Sequence, residues 1–199
     1  MTKSYPTMEG LLILKENSMV WIMVDEMTFE TRYIMRPLGP GDEGPLVLVD
    51  AATGKAIWDL SGPLVQGQSG TEEGRGGEWV DILSLPETTS RVCIRLYRTS
   101  EEGFRWEMGW GPGQVLRWKK PAFSAHLRCV DARDPAELLA AYEPVVDENL
   151  PEYLPIKGVP LGWIRSVRST HSVPEPLADD SGFIAASLVL LSISRNDRV

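Results

Sequence analysis

The chain has only two histidines, His126 and His171, and two cysteines, Cys93 and Cys129, among 199 residues. That scarcity excludes a metal centre built from several imidazoles. CxxC pairs, HExxH helices and EF-hand loops are also missing. Carboxylates alone leave Asp25-Glu26 and Asp179-Asp180, but neighbouring residues on a strand point to opposite faces. No metal and no other cofactor is expected. Catalytic signatures are equally scarce. There is no GxSxG elbow, and Gly62–Gly77 lacks the GK[ST] ending of a phosphate-binding loop. The stretch from Gly109 to Gly113 is not GxGxxG, and Pro112 removes one backbone donor from it. Ser69 or Ser124 with either histidine is a free combination of common residues, and His126 and Cys129, three apart on a strand, face opposite ways. No catalytic residue is expected, and an enzyme is the less favoured reading.

Long hydrophobic runs are missing as well. Leu11 to Val24 is interrupted by Lys15-Glu16-Asn17, and Phe183 to Ile193 falls short of the ~20 apolar residues that a spanning helix needs. The first residues, MTKSYPTMEG, lack the apolar core and cleavage site of a signal peptide. Two cysteines 36 positions apart read as lone thiols, which points to a reducing, intracellular (cytoplasmic) setting. A single disulfide between them is the alternative.

What is present is ordinary globular composition with an unusual aromatic share. Apolar residues make up 43% and charged residues 24%, and seven of the aromatics are Trp against five Tyr and four Phe. Trp suits core edges and interfaces equally. The net charge of −8 is unevenly distributed. Residues 1–90 carry 6 basic and 14 acidic side chains, whereas residues 91–133 carry 9 and 4. Residues 134–152 carry six acidic side chains and no basic one. Overall acidity argues against a dedicated nucleic-acid binder.

Period-two alternation dominates the first two-thirds of the chain. It predicts strands at Leu11–Lys15, Met19–Val24, Phe29–Arg36, Leu46–Val49, Ala56–Leu60, Trp79–Leu85 and Ala125–Val130. Ile34 blurs the facing of the third. Pro37 to Pro45 and Ser61 to Glu78 are expected loops, rich in Gly and Pro. Val49–Trp58, VDAATGKAIW, resembles the hairpin of quinoprotein-type propeller repeats, but it occurs once and a propeller needs many blades, so the likeness carries no function. The spacing predicts one short helix from Asp134, with Pro135 in its first turn and Leu138, Leu139 and Tyr142 as its apolar stripe, ending at Pro144. Phe183–Ile193 fits a strand slightly better than a buried helix. The expected architecture is mainly β, an antiparallel β-sandwich or irregular β-barrel with one short α-helix. It forms one domain over residues 1–199, with a possible sub-boundary in the proline-rich connector 144–160.

The stretch Arg91–Lys120 is the one unusual surface, two or three antiparallel strands with three Trp and an excess of positive charge. The candidate interaction residues are Arg91, Arg95, Arg98, Arg105, Trp106, Trp110, Arg117 and Trp118, extended by Trp163, Arg165 and Arg168 on GWIRSVRS. On a β surface, Arg holds carboxylates or phosphates bidentately, and exposed aromatics would form a stacking platform. The simpler reading is an amphipathic meander with solvated Arg. The leading functional expectation is a non-enzymatic interaction or assembly protein that contacts a protein partner or itself. A viral or phage structural component or an immunity or inhibitor protein would be instances. A small-ligand-binding protein or hydrolase with a core pocket is the first alternative, and nucleic-acid binding through the Arg/Trp meander the second.

Overall fold

The computed structural model describes residues 8–39, 45–61, 71–72, 75–76, 79–85, 93–98, 105–110, 115–119, 126–136, 138–146 and 157–167. The strands are β1 (Met8–Lys15), β2 (Trp21–Asp25), β3 (Thr31–Pro37), β4 (Leu46–Asp50), β5 (Ala56–Ser61), β6 (Thr71–Glu72) and β7 (Arg75–Gly76). They continue with β8 (Trp79–Ser84), β9 (Cys93–Arg98), β10 (Arg105–Trp110), β11 (Val115–Lys119), β12 (Leu127–Asp131), β13 (Leu138–Pro144) and β14 (Val159–Val167). The protein is mainly β, as its alternation predicts. Twelve strands pair antiparallel, each with its neighbour in sequence apart from the two-residue β6–β7 ribbon. The ladder closes into a barrel where β14 pairs with β1, Met8 opposite Val167.

Side chains alternate across this wall. The inward set includes Ile13, Met23, Met35, Leu48, Leu60, Ile94, Leu96 and Leu116, with Trp21, Trp58, Trp118 and Tyr142 among them. About eight strands enclose a space that ordinary side chains can fill. Twelve enclose more, and these large rings occupy it, which accounts for part of the high Trp share. Gly162 is fixed by one of them. The Tyr142 ring lies across its Cα, where any Cβ would collide, and the Tyr142 hydroxyl donates to the Leu161 carbonyl at 2.8 Å.

The expected helix is a correction. Leu138–Pro144 is strand β13, hydrogen-bonded to β12 on one side and β14 on the other, and no helix occurs among the described residues. Asp134 does cap, but it caps a turn, accepting the Ala136 N–H at 3.1 Å. Ala140 and Tyr142 face inward on a period of two that the apolar stripe Leu138, Leu139, Tyr142 concealed. About ten residues cannot hold a helix on their own, whereas as a strand they satisfy the facing backbone groups of both neighbours. Leu139 is the extra residue at a register shift opposite Cys129 and Val130. The loop expected over Ser61–Glu78 contains the short β6–β7 ribbon. Phe183–Ile193 lies outside the described residues.

The Arg91–Lys120 stretch forms three strands, β9, β10 and β11. Cys129 is a free thiol in the core, which removes the disulfide alternative. Burial pushes its pKa well above the ordinary thiol range. Among the described residues no helix is long and apolar enough to cross a membrane.

Candidate functional site

The antiparallel ring gives the barrel two unlike ends. At the end where the chain enters β1, connections are mostly short, and Asp residues that finish their strands tie three of them. Asp25 accepts the N–H groups of Met27 and Thr28, both at 2.9 Å. Asp50 accepts the N–H and hydroxyl of Thr53 at 2.7 and 2.8 Å. Asp131 accepts the Arg133 N–H at 2.7 Å. These donors hold the Asp25 and Asp50 carboxyls below the ordinary range, with the Thr28 N–H the largest influence on Asp25 and the Thr53 N–H on Asp50.

The opposite rim carries the long connections, residues 38–45, 62–78 and 145–158. Two of their necks are pinned by backbone bonds, Leu38 N–H to the Pro45 carbonyl at 2.8 Å and Val145 N–H to the Leu161 carbonyl at 3.1 Å. Three large apolar side chains point to solvent from this rim: Leu38 (51% exposed), Val146 (52%) and Val159 (66%). They occupy an arc over β13, β14, β1, β2 and β3, where the Lys15 ammonium also lies over the Trp21 ring, 5.5 Å from its centroid. Gly158, at φ 139°, turns the chain into β14 beside Leu14, a conformation that other residues rarely adopt. Met27, 86% exposed, is at the other end.

The outer wall divides in two. Over β8 to β12 the outward register mixes apolar residues, among them Leu83 and the buried Val130, with charged ones, and two of its arginines are held by carboxylates of the same wall. Arg95 binds Asp81 bidentately at 2.7 and 2.9 Å, and Arg117 binds Glu107 at 2.7 Å. Over β14, β1, β2, β3 and β4 many outward residues are apolar, Trp163, Leu12, Leu14, Ile22, Val24, Ile34, Val47 and Val49, with exposed Arg32 and Arg36 among them on β3. Ile34 blurs the facing in sequence because it is a single apolar residue between the exposed Arg32 and Arg36 on the outward face of β3. Arg165 borders this half. It bridges Glu26 at 2.7 Å and Glu143 at 2.6 Å and lies 6.0 Å from the Trp163 ring centroid. Its two carboxylates, Glu26 first, raise its pKa further.

The expected interaction residues therefore separate. Arg95, Arg117 and Arg165 stand on the outer wall in ion pairs, Trp118 is in the interior, and Trp163 is buried on the apolar outer half. Arg98, Arg105, Trp106 and Trp110 are placed by backbone register only: Trp106 opposite Trp118 and Arg98, Arg105 opposite Lys119, Trp110 opposite Ile94. Arg91 and Arg168 lie outside the described residues, as does His171. His126 is exposed at the start of β12. Among the described residues no three His, Cys, Asp or Glu side chains gather as metal ligands. The rim residues Leu38, Val146 and Val159 escape a search for charge and aromatics. Their signal is an isolated apolar residue within a Pro/Gly boundary, as in Pro37-Leu38-Gly39 and Gly158-Val159-Pro160.

The class defined here is a closed antiparallel barrel with one tight-turned end and one long-loop rim. No protein-family description matches the chain, and no curated protein or solved structure matches it either.

Proposed function

We propose that this is a non-enzymatic interaction protein that docks a protein partner, or a second copy of itself, through its long-loop rim. The observation that carries the reading is the position of Leu38, Val146 and Val159. Three of the four exposed large hydrophobic side chains among the described residues share that one rim. Single exposed apolar residues are common, but a group beside long connections suits an anchoring surface. Ring closure bears on the mode of contact. Partners that add a strand need an unpaired edge. Among the described residues the twelve-stranded ladder offers none and the β6–β7 ribbon is only two residues long, which favours contact through loops and side chains. The ion pairs of Arg95, Arg117 and Arg165 favour this reading over one in which those guanidinium groups serve phosphates.

The test is light scattering after size-exclusion chromatography at low and high salt, with affinity capture from the native source. The wild type is expected to form a salt-resistant oligomer or hetero-complex. The triple variant Leu38→Asp, Val146→Asp, Val159→Asp is expected to lose it while keeping its β circular dichroism. A wild-type protein that stays strictly monomeric and captures nothing would count heavily against the proposal.

A further inference from the structure

Two turns at the short-connection end of the barrel are built alike. Asp25–Glu30 joins β2 to β3, and Asp50–Lys55 joins β4 to β5. In each, the first Asp donates its N–H to the sixth carbonyl, both at 2.9 Å. The fifth N–H donates back to the Asp carbonyl, at 2.9 Å from Phe29 and 2.8 Å from Gly54. In each, the Asp carboxylate accepts the N–H of a Thr in fourth place, and that Thr hydroxyl accepts the sixth N–H. The fifth residue has a positive φ in both, 69° at Gly54 and 57° at Phe29. Glycine meets that requirement without strain, and a bulky aromatic does not. The exposed third place is Ala52 in one turn and Met27, 86% exposed, in the other. The frame therefore asks for neither Met27 nor Phe29. Glu30 is exposed beside them, where the twin turn has Lys55.

We propose that the Met27–Phe29 tip docks onto the long-loop rim of a second copy, against Leu38, Val146 and Val159, so that barrels join head to tail. The contact rests on the rim reading given above and adds what fills that rim. The four exposed large hydrophobic side chains of the described residues then meet in one interface. Placement allows it. The tip joins β2 to β3, and the apolar arc runs over β13, β14, β1, β2 and β3 at the opposite end. Stacking along the barrel axis, with the rotation that strand tilt imposes, brings one over the other. Charge agrees among the described residues, with Glu30 exposed at the tip and Arg36 and Lys157 exposed beside the arc. Asp42, Glu43, Asp147 and Glu148 belong to the connections of the same rim and lie outside the described residues. The contact is therefore assigned to its apolar anchors, and charge only orients it. Unlike surfaces joined in this way build an open stack or a ring rather than a two-fold dimer.

The experiment gives the full chain a tip with its twin's chemistry, Met27→Ala with Phe29→Gly, and sets it beside the rim variant Leu38→Asp, Val146→Asp, Val159→Asp. Light scattering follows each alone and the two mixed in equal amounts. The tip variant is expected to be monomeric with unchanged or raised stability to urea, since Gly54 holds the same turn. Each variant keeps one sound end, so the mixture is expected to form a heterodimer although neither variant associates alone. Met27→Ala by itself should raise the dissociation constant about tenfold. A tip variant that keeps the wild-type oligomer, while the rim variant loses it, would overturn the tip and leave the rim reading standing. A rim variant that keeps the oligomer would remove the rim reading as well. A strictly monomeric wild type, or a mixture without heterodimer, rules out head-to-tail contact. Lower stability in the tip variant makes Phe29 a packing residue, and unchanged association of Met27→Ala then sinks the proposal.

Discussion

Asp25, Asp50 and Asp131 each end a strand and fold back onto the N–H groups of the turn that follows. A carboxylate accepts such bonds and its protonated form accepts them poorly, which is why the Asp25 and Asp50 pKa values are lowered. The sign follows. A group with a depressed folded pKa contributes stability above its unfolded value, and that contribution is lost as pH falls through the folded value. Asp50→Ala is therefore expected to cost about 1 kcal/mol near neutral pH, the size of one side-chain hydrogen bond. The difference from wild type should vanish toward pH 2, as urea titrations across that range would reveal. Gly162 makes a steric prediction. Gly162→Ala drives a methyl into the Tyr142 ring and should cost about 1–3 kcal/mol, measured by the same titrations at pH 7. A glycine in a strand is legible in the sequence, but the ring that requires it arrives from β13 and is not.

At the scale of elements, β13 shows where local pattern misleads. Asp134-Pro135 is a sound helix start and Ala-rich AELLAAY has good helix propensity, but the ladder positions of β12 and β14 outweigh both. Ala141→Thr tests this on the outward face. In a strand it should be neutral or stabilising by a few tenths of a kcal/mol, whereas in a helix it would cost roughly 0.5 kcal/mol. The ion pairs on β8 to β11 are a second element-scale feature. They are partly exposed, so a double-mutant cycle on Asp81 and Arg95 is expected to return less than about 1 kcal/mol, falling with salt. The strands themselves are readable because alternation reports one-sided burial. The continuous runs Leu11–Leu14 and Leu46–Val49 report burial on both sides, which a barrel wall shows only where its outside is covered.

For the whole molecule, ring closure is the defining event. β1 and β14 meet across most of the described chain, while nearly every other pairing joins consecutive strands. Closing so long a loop is slow, because its entropy is lost before its contacts form. Ile164→Val in the closing ladder is expected to raise the unfolding rate with little change in folding rate, a φ-value near zero in stopped-flow chevrons. A φ-value near one would mean that closure leads folding.

By itself, the sequence determined the mainly-β character, most strand positions, and the lack of metal, nucleophile and phosphate-loop signatures. These follow from local period, turn chemistry and residue supply, all of which act within a few residues. Tertiary structure alone decided the closing partner of β1, the strand identity of β13, and the inward position of Trp118. It also decided that the arginines of the candidate surface meet Asp81, Glu107, Glu26 and Glu143. Those outcomes depend on which distant strands become neighbours. That choice is made by the closure of the barrel and the burial of its two faces, neither of which is written in any single stretch of chain.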